Sequence, residues 1–218
     1  MPSLLQLDSS ADLVSSRSRA VTAAFSAAWR ALGDDHTVVV RDLHTAPLPH
    51  LEDAALHWPA ADRAAGSAVD PAAEALQQEI LAELLAADAV VIGVPLYNYS
   101  MPSTLKAWID RIHVPGVTAP SDAPTQPLAG RPAVLVTARG GSYDDGSPTQ
   151  GWDHAIPPLQ LILGTALGMD VTVITTSLTL AEAMPALADQ RPRAQAEFEA
   201  ALADAAALAR TLGAGLAS

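Results

Sequence analysis

Short runs of Val, Ile and Leu recur along the chain, separated by longer stretches with helical spacing. Ser3–Leu7, Thr37–Arg41, Ala89–Pro95, Ala133–Ala138 and Val171–Thr176 read as strands. The third and fourth, AVVIGVP and AVLVTA, are almost uninterruptedly apolar, as strands covered on both faces must be. Ser18–Leu32 sets Val21, Phe25, Ala28, Trp29 and Leu32 at helical spacing and stops at Gly33, while Ala72–Ala86 and Pro158–Gly168 give two further helices. After the third strand, Leu105, Trp108, Ile109 and Ile112 fall at i, i+3, i+4 and i+7, which leaves Lys106, Asp110 and Arg111 expected to face outward. Ser100 is expected to cap that helix, with Pro102 in its first turn. The last helix, Pro192–Leu212, carries a stripe of Phe198, Leu202, Ala205, Ala209 and Leu212. Five strands, each followed by a helix, predict an α/β doubly wound fold with one parallel sheet between two helical layers. The order 2-1-3-4-5 is one of its two common solutions.

Length and composition leave that picture intact. With 218 residues, half of them apolar, one domain spanning 1–218 can hold a large core. The Pro-studded connections Leu43–Pro71 and Pro115–Pro132 are long enough to expect functional loops. A net charge of −12 opposes any broad grip on nucleic acid or anionic membrane, yet allows a compact anion to be held locally. The absence of cysteine removes disulfides, thiolate nucleophiles and sulfur-ligated metals. No basic segment precedes the apolar start and no run reaches the ~20 apolar residues of a spanning helix, so a cytoplasmic protein is expected. The six histidines show no zinc-ligand spacing, and G-x-S-x-G, H-E-x-x-H and a strand-following G-x-G-x-x-G are all absent. Hydrolase and dinucleotide-domain readings are therefore disfavoured.

Candidate chemistry falls in three loops at the carboxyl edge of the expected sheet, where ligands of doubly wound folds bind. Asp8–Ala20 brings Ser9, Ser10, Ser15, Ser16 and Ser18 with Arg17 and Arg19 to a helix start, a set suited to phosphate. Serine is also an ordinary cap, and the position after the first strand is what favours the phosphate reading. The triplet Tyr97-Asn98-Tyr99 ends the third strand, in a chain with only 4% aromatic residues. Its rings and amide suit the face and polar edge of a flat heterocycle, against the blander reading of rings filling the sheet rim. Thr137–Gly146, TARGGSYDDG, sets two adjacent glycines after the fourth strand, where backbone amides can approach a ligand or a turn can form.

Together these segments resemble the FMN-dependent NAD(P)H:quinone and azo reductases of the flavodoxin-like superfamily. Ser10, Ser16, Arg17 and Ser18 match that family's S-x5-S-x-S loop. PLYNYSMPSTLKAWID matches its P-M-Y-N-F-x-x-P/S-x-x-L-K-x-x-x-D signature, and TARGG its T-S-R-G-G segment. The resemblance implies a flavodoxin-like fold in which Ser10, Ser16, Arg17 and Ser18 hold the FMN phosphate. Pro95, Leu96, Tyr97, Asn98 and Tyr99 line the ribityl chain and isoalloxazine, and Arg139, Gly140 and Gly141 approach the pyrimidine end. It further implies a homodimer with active sites at the subunit interface, with Trp58 and the Trp152 region as candidates for that wall. Hydride would pass in ping-pong fashion from NAD(P)H through FMN to a quinone or azo acceptor. Tyr143 and His154 are candidate proton sources by loop position. Ala138 replaces the family's Ser, and Gly116-Val117-Thr118-Ala119 replaces its G-x-T-F, so an aromatic wall of the acceptor pocket is expected to be missing or replaced. The rival reading is a flavodoxin-like electron carrier or flavin redox sensor, whose acidity this chain shares.

Overall fold

The structure is a computed structural model describing residues 1–121 and 126–216, so part of the connection expected over Pro115–Pro132 lies outside the described residues. The strands are β1 (Ser3–Asp8), β2 (Thr37–Asp42), β3 (Ala89–Pro95), β4 (Pro132–Ala138) and β5 (Asp170–Thr176). They form one sheet in the order β2-β1-β3-β4-β5, with every neighbouring pair parallel. The helices are α1 (Arg17–Arg30), α2 (Pro71–Ala86), α3 (Ser103–Ile112), the short α4 (Ile156–Leu159) and α5 (Arg191–Leu216). All five strands and the strand order agree with the sequence pattern.

Strand alternation sends the core to both faces. Leu5, Leu7, Val90, Ile92, Ala133 and Leu135 meet Ile80, Leu84, Leu105, Trp108, Leu159 and Leu163 from α2, α3 and the α4 region. Leu4, Val91, Val134 and Val136 meet Val21, Phe25, Trp29, Ala201, Ala205 and Ala209 from α1 and α5. Each large side chain removed from water in this way contributes roughly 1.5–3 kcal/mol before entropy is counted.

Three helical details depart from the sequence pattern. On α5 the buried line is Ala194, Ala201, Ala205, Ala209 and Gly213, while Phe198, Leu202 and Leu212 of the expected stripe are only partly buried. The small residues let α5 lie close to α1: a Cβ on Gly213 would stand 2.3 Å from Leu32 Cδ1. The segment expected as helix Pro158–Gly168 begins at Ile156 as α4 and widens into a π-helical stretch over Gln160–Ala166. The Leu167 amide donates to Ile162 O at 2.9 Å, five residues back. Arg111 does not face outward but is fully buried, donating to Glu52 Oε2 at 2.7 Å and Pro49 O at 3.0 Å. The long connection before α2 folds over the end of α3 and brings that carboxylate from 59 residues away, a partner that local spacing does not reveal.

Candidate functional site

The strand registers align Asp8 with Asp42 and Gly93, and Ala138 with Pro95 and Thr176, so the loops leaving β1, β3, β4 and β5 share one edge. Below that edge a polar column stands between β1 and α1. Thr22 Oγ1 and Gln6 Nε2 each donate to the Asp8 carboxylate at 2.7 Å, and Ser26 Oγ donates to Gln6 Oε1 at 2.6 Å. Burial raises the Asp8 carboxyl above its ordinary range, against the pull of the Thr22 and Gln6 hydrogen bonds and the Arg19 charge.

The β1–α1 loop is braced from outside itself. Ser9 Oγ donates to Gly93 O at 2.7 Å, and the Asp12 carboxylate accepts from the amides of Val14 and Ser15 and from Ser15 Oγ. Arg19 reaches back from α1 to donate twice to Ser10 O, at 2.6 and 3.0 Å, and grips both oxygens of Asp42 at 2.8 and 2.9 Å. Burial opposes ionisation of Asp42, but the Arg19 guanidinium and the amides of His44 and Thr45 outweigh it and hold the carboxyl well below its usual range. Ser16 caps α1 by accepting from the Arg19 amide, and its Oγ lies 3.1 Å from that of Ser18. The amides of Arg17 and Ser18, in the first turn, have no intrahelical acceptor. The Arg17 guanidinium turns toward α5, donating to Ala194 O at 2.7 Å and lying 5.1 Å from the Phe198 ring centre. The serines are thus brought together, and the Arg17 guanidinium is not brought to them.

The stretch after β3 is a two-residue turn. Tyr97 N donates to Ser100 O at 2.8 Å and Ser100 N to Tyr97 O at 3.0 Å, with Asn98 at φ 48° and Tyr99 at φ 69°. Two consecutive left-handed residues inside such a bond pair make a type I′ turn; Asn adopts that conformation readily, whereas Tyr99 is held there against its preference. Contacts on both sides explain why it holds. Tyr97 Oη accepts from the Ala11 amide at 2.9 Å and lies 3.3 Å from Ser10 Oγ, linking this turn to the β1–α1 loop. On the other side Tyr99 O accepts from the His154 amide at 2.8 Å, and the Tyr99 ring meets Trp152 edge-on at 5.3 Å. Both tyrosines stay well exposed, at 38% and 47%, as does Asn98, while Pro95 is buried and Leu96 half-buried. Ser100 does not cap α3: the cap position is Pro102, and Ser100 Oγ donates instead to His154 O.

The loop after β4 is zipped to the loop after β5. Thr179, Leu180 and Leu178 donate their amides to the carbonyls of Arg139, Gly140 and Gly141, with Leu178 at φ 59°. A Cβ on Gly140 would come within 2.9 Å of Leu180 Cδ1, whereas one on Gly141 would meet nothing within 4 Å. Arg139 donates to Asp153 Oδ2 at 2.7 Å and lies 5.6 Å from the Tyr143 ring centre, and its buried Nε has no partner among the described residues. Burial, with smaller contributions from Tyr99 and Asp153, raises the Tyr143 hydroxyl above its ordinary range. Ala119, at the position of the expected aromatic wall, is buried in the core under a turn whose amides converge on Val114 O.

A family model for the flavodoxin-like fold matches residues 2–205. The chain belongs to the flavodoxin-like family. Among its relatives, an FMN-dependent NADH:quinone oxidoreductase of Kineococcus radiotolerans is 58% identical over 97% of this chain and 100% of that protein. Another of that name from Streptomyces avermitilis is 39% identical over 97% of each. An azoreductase from Bacillus anthracis str. Sterne has the same fold, with a TM-score of 0.79 at 23% identity over 97% of this chain and 100% of that one. So does the FMN-dependent NADH-azoreductase of Bacillus anthracis str. Ames Ancestor in complex with FMN, with a TM-score of 0.77 at 21% identity over 96% of this chain and 100% of that one.

Several residues of this flavodoxin-like site escaped the sequence reading. Arg19, which lies in the Ser-rich loop but outside the expected phosphate set, is the brace of that loop. Asp153 accepts from the amides of Ala155 and Ile156 at 2.9 and 3.0 Å while pairing with Arg139. An Asp shortly before Ile-Pro-Pro is a helix-start signal that could have marked it. Nothing in the local sequence marks Trp152 as the partner of Tyr99.

Proposed function

We propose that this chain, acting as one domain over residues 1–218, is an FMN-dependent NADH:quinone oxidoreductase. Its reaction would take a hydride from NADH and, with FMN as cofactor, deliver the electrons to quinone, azo or similar electron-poor acceptors. The observation that carries the reading is a cluster of donors at the start of α1, tied through Tyr97 to an exposed aromatic turn, in a chain similar along 97% of its length to an enzyme of that name. FMN suits the residues present. Two first-turn amides without an intrahelical acceptor, the hydroxyls of Ser10, Ser16 and Ser18 and the positive end of α1 match a phosphate monoester. The open side of Gly141 and the buried, unpaired Arg139 Nε leave room and a donor at the far end of the site.

When bound, FMN supplies the two-electron chemistry. The protein supplies placement. Ser10, Ser16 and Ser18 hold the phosphate through their hydroxyls, and Arg17 contributes through its backbone amide, its guanidinium being engaged at Ala194. Pro95, Leu96, Tyr97, Asn98 and Tyr99 form the wall beside the ring, with the rigid I′ turn fixing the Asn98 side chain. Arg139, Gly140 and Gly141 close the opposite end, where donors stabilise negative charge. NADH and the acceptor use the same open surface beside Tyr97 and Tyr99 in turn, the ping-pong order. A second copy of the chain, in the cytoplasm, completes the acceptor pocket with Trp58 and Trp152 near its rim. Tyr143 and His154 stand at that rim as proton sources.

Anaerobic mixing tests the reading. NADH is expected to bleach the flavin absorbance of the FMN-loaded protein, and benzoquinone to restore it. Bleaching that requires a separate reductase protein would favour an electron carrier instead.

A further inference from the structure

The β3–α3 turn opens on one side into a cleft of about 380 Å³ lined by Ser100, Ser103, His50, His154, Lys106 and Asp110. Its wall is fastened to the turn itself, through the His154 amide on Tyr99 O at 2.8 Å and Ser100 Oγ on His154 O at 3.3 Å. Lys106 is the single lysine of the chain. The neighbouring arginines are engaged elsewhere: Arg19 with Asp42, Arg139 with Asp153 and buried Arg111 with Glu52. The Lys106 side chain is 54% exposed and paired with Asp110 one turn on. A pair of that kind holds weakly and exchanges easily for a stronger anion.

We infer that this cleft receives the diphosphate of the dinucleotide donor, with Lys106 as its principal cation; the inference rests on the reading of the chain as an NADH-dependent flavin enzyme. A nicotinamide lying against Tyr97–Tyr99 drags behind it a diphosphate that must leave the turn in one direction or another. Past Tyr143 it meets the carboxylates of Asp144 and Asp145, the first occupied by Arg193 and the second accepting from Gln150. Past Ser100 it meets two hydroxyls, two imidazoles, an ammonium and one carboxylate, that of Asp110, beside an apolar wall of Met101, Ala107 and Pro158. In a chain of net charge −12, a dianion needs such a local cation to overcome the general repulsion. The start of α3 adds to the same side, since Pro102 gives its first-turn amides no side-chain cap. Asp110 sets the affinity from the opposite direction, by competing with phosphate for Lys106.

The test uses the FMN-loaded protein and two donors, NADH and N-benzyl-1,4-dihydronicotinamide, which has the ring without phosphates. In anaerobic single-turnover reduction, Lys106→Met is expected to raise the apparent Kd for NADH about tenfold, the weight of one charge-assisted hydrogen bond, and to leave the benzyl donor unchanged. Asp110→Asn is expected to lower the apparent Kd for NADH. A second readout is independent of turnover: acetylation of Lys106 in the wild-type protein, followed by mass spectrometry, is expected to slow several-fold with ADP-ribose present. Equal shifts for both donors, an unchanged Kd for NADH, or acetylation indifferent to ADP-ribose would each overturn the inference while the flavin reading stands. A wild-type protein that loads FMN but is reduced by neither donor would overturn both.

Discussion

The loop after β1 and the loop after β4 leave the sheet at the same edge and are both built from small and polar residues, yet they dispose of their polar groups in opposite ways. In the first, braces come from elsewhere: Arg19 on Ser10 O, Tyr97 on the Ala11 amide, Ser9 on Gly93 O. The amides at the start of α1 are left without partners in the helix. In the second, the carbonyls of Arg139, Gly140 and Gly141 already accept from the next loop, and Gly140 is small because Leu180 sits against it. A glycine or serine in a binding loop therefore has two possible owners, a ligand or a neighbouring segment, and only the contacts show which. On the proposed reading, the β1–α1 loop would anchor the cofactor and the β4 loop would serve as a preformed wall.

The comparison breaks most severely at Arg19. Arg19→Ala removes the bidentate grip on Asp42 and both bonds to Ser10 O, and is expected to lower stability by about 2 kcal/mol and FMN affinity by more than tenfold. Denaturant midpoints and flavin titration would read the two effects. Wild-type affinity in a folded Arg19→Ala protein would show that the brace is irrelevant to the loop.

The charge on Asp42 gives a smaller, pH-dependent effect. Its carboxyl is held below the ordinary range in the folded chain, so its contribution is present above the unfolded value of about 3.9 and is lost as pH falls toward the folded value. Asp42→Asn keeps an acceptor for the His44 and Thr45 amides but not the charge. Its stability is expected to be lower by about 1 kcal/mol at pH 7, with a shallower loss between pH 5 and pH 3. Asp8 runs the other way, because a raised carboxyl favours the folded state as pH falls; the Asp42 charge adds to that rise, so Asp42→Asn also weakens the Asp8 contribution slightly. Parallel melting curves across that range would remove Asp42 from the account.

The β4 loop sharpens the contrast with the smallest effects. Gly140→Ala pushes against the far end of the Leu180 side chain and is expected to lower stability by less than about 1 kcal/mol, with recovery in the Gly140→Ala/Leu180→Ala pair. Gly141→Ala meets open space and should melt like the wild type, so any loss of FMN affinity there reports the ligand directly. A large loss of stability at Gly141 would mean that the loop is packed differently.

What the sequence pattern could and could not reveal follows from the range of each interaction. β3 and β4 are legible because a strand covered on both faces must be apolar throughout, and the buried residues of α3 repeat at helical spacing. The burial of Arg111 is not legible, since Glu52 reaches it across 59 residues. The I′ turn at Asn98–Tyr99 is half legible: Asn suggests it, Tyr argues against it, and the deciding contacts come from Ala11 and His154 in other loops. The serines after β1 are found by position in the strand order, and Arg17 shows the limit of that method. Its side chain goes where α5 offers carbonyls.

Binding of FMN and riboflavin, compared by flavin fluorescence on the same apoprotein, tests most directly whether the start of α1 is a phosphate anchor. FMN is expected to bind at least a hundredfold more tightly than riboflavin, with Ser18→Ala narrowing the gap by weakening FMN alone. Equal affinity for the two flavins would contradict it.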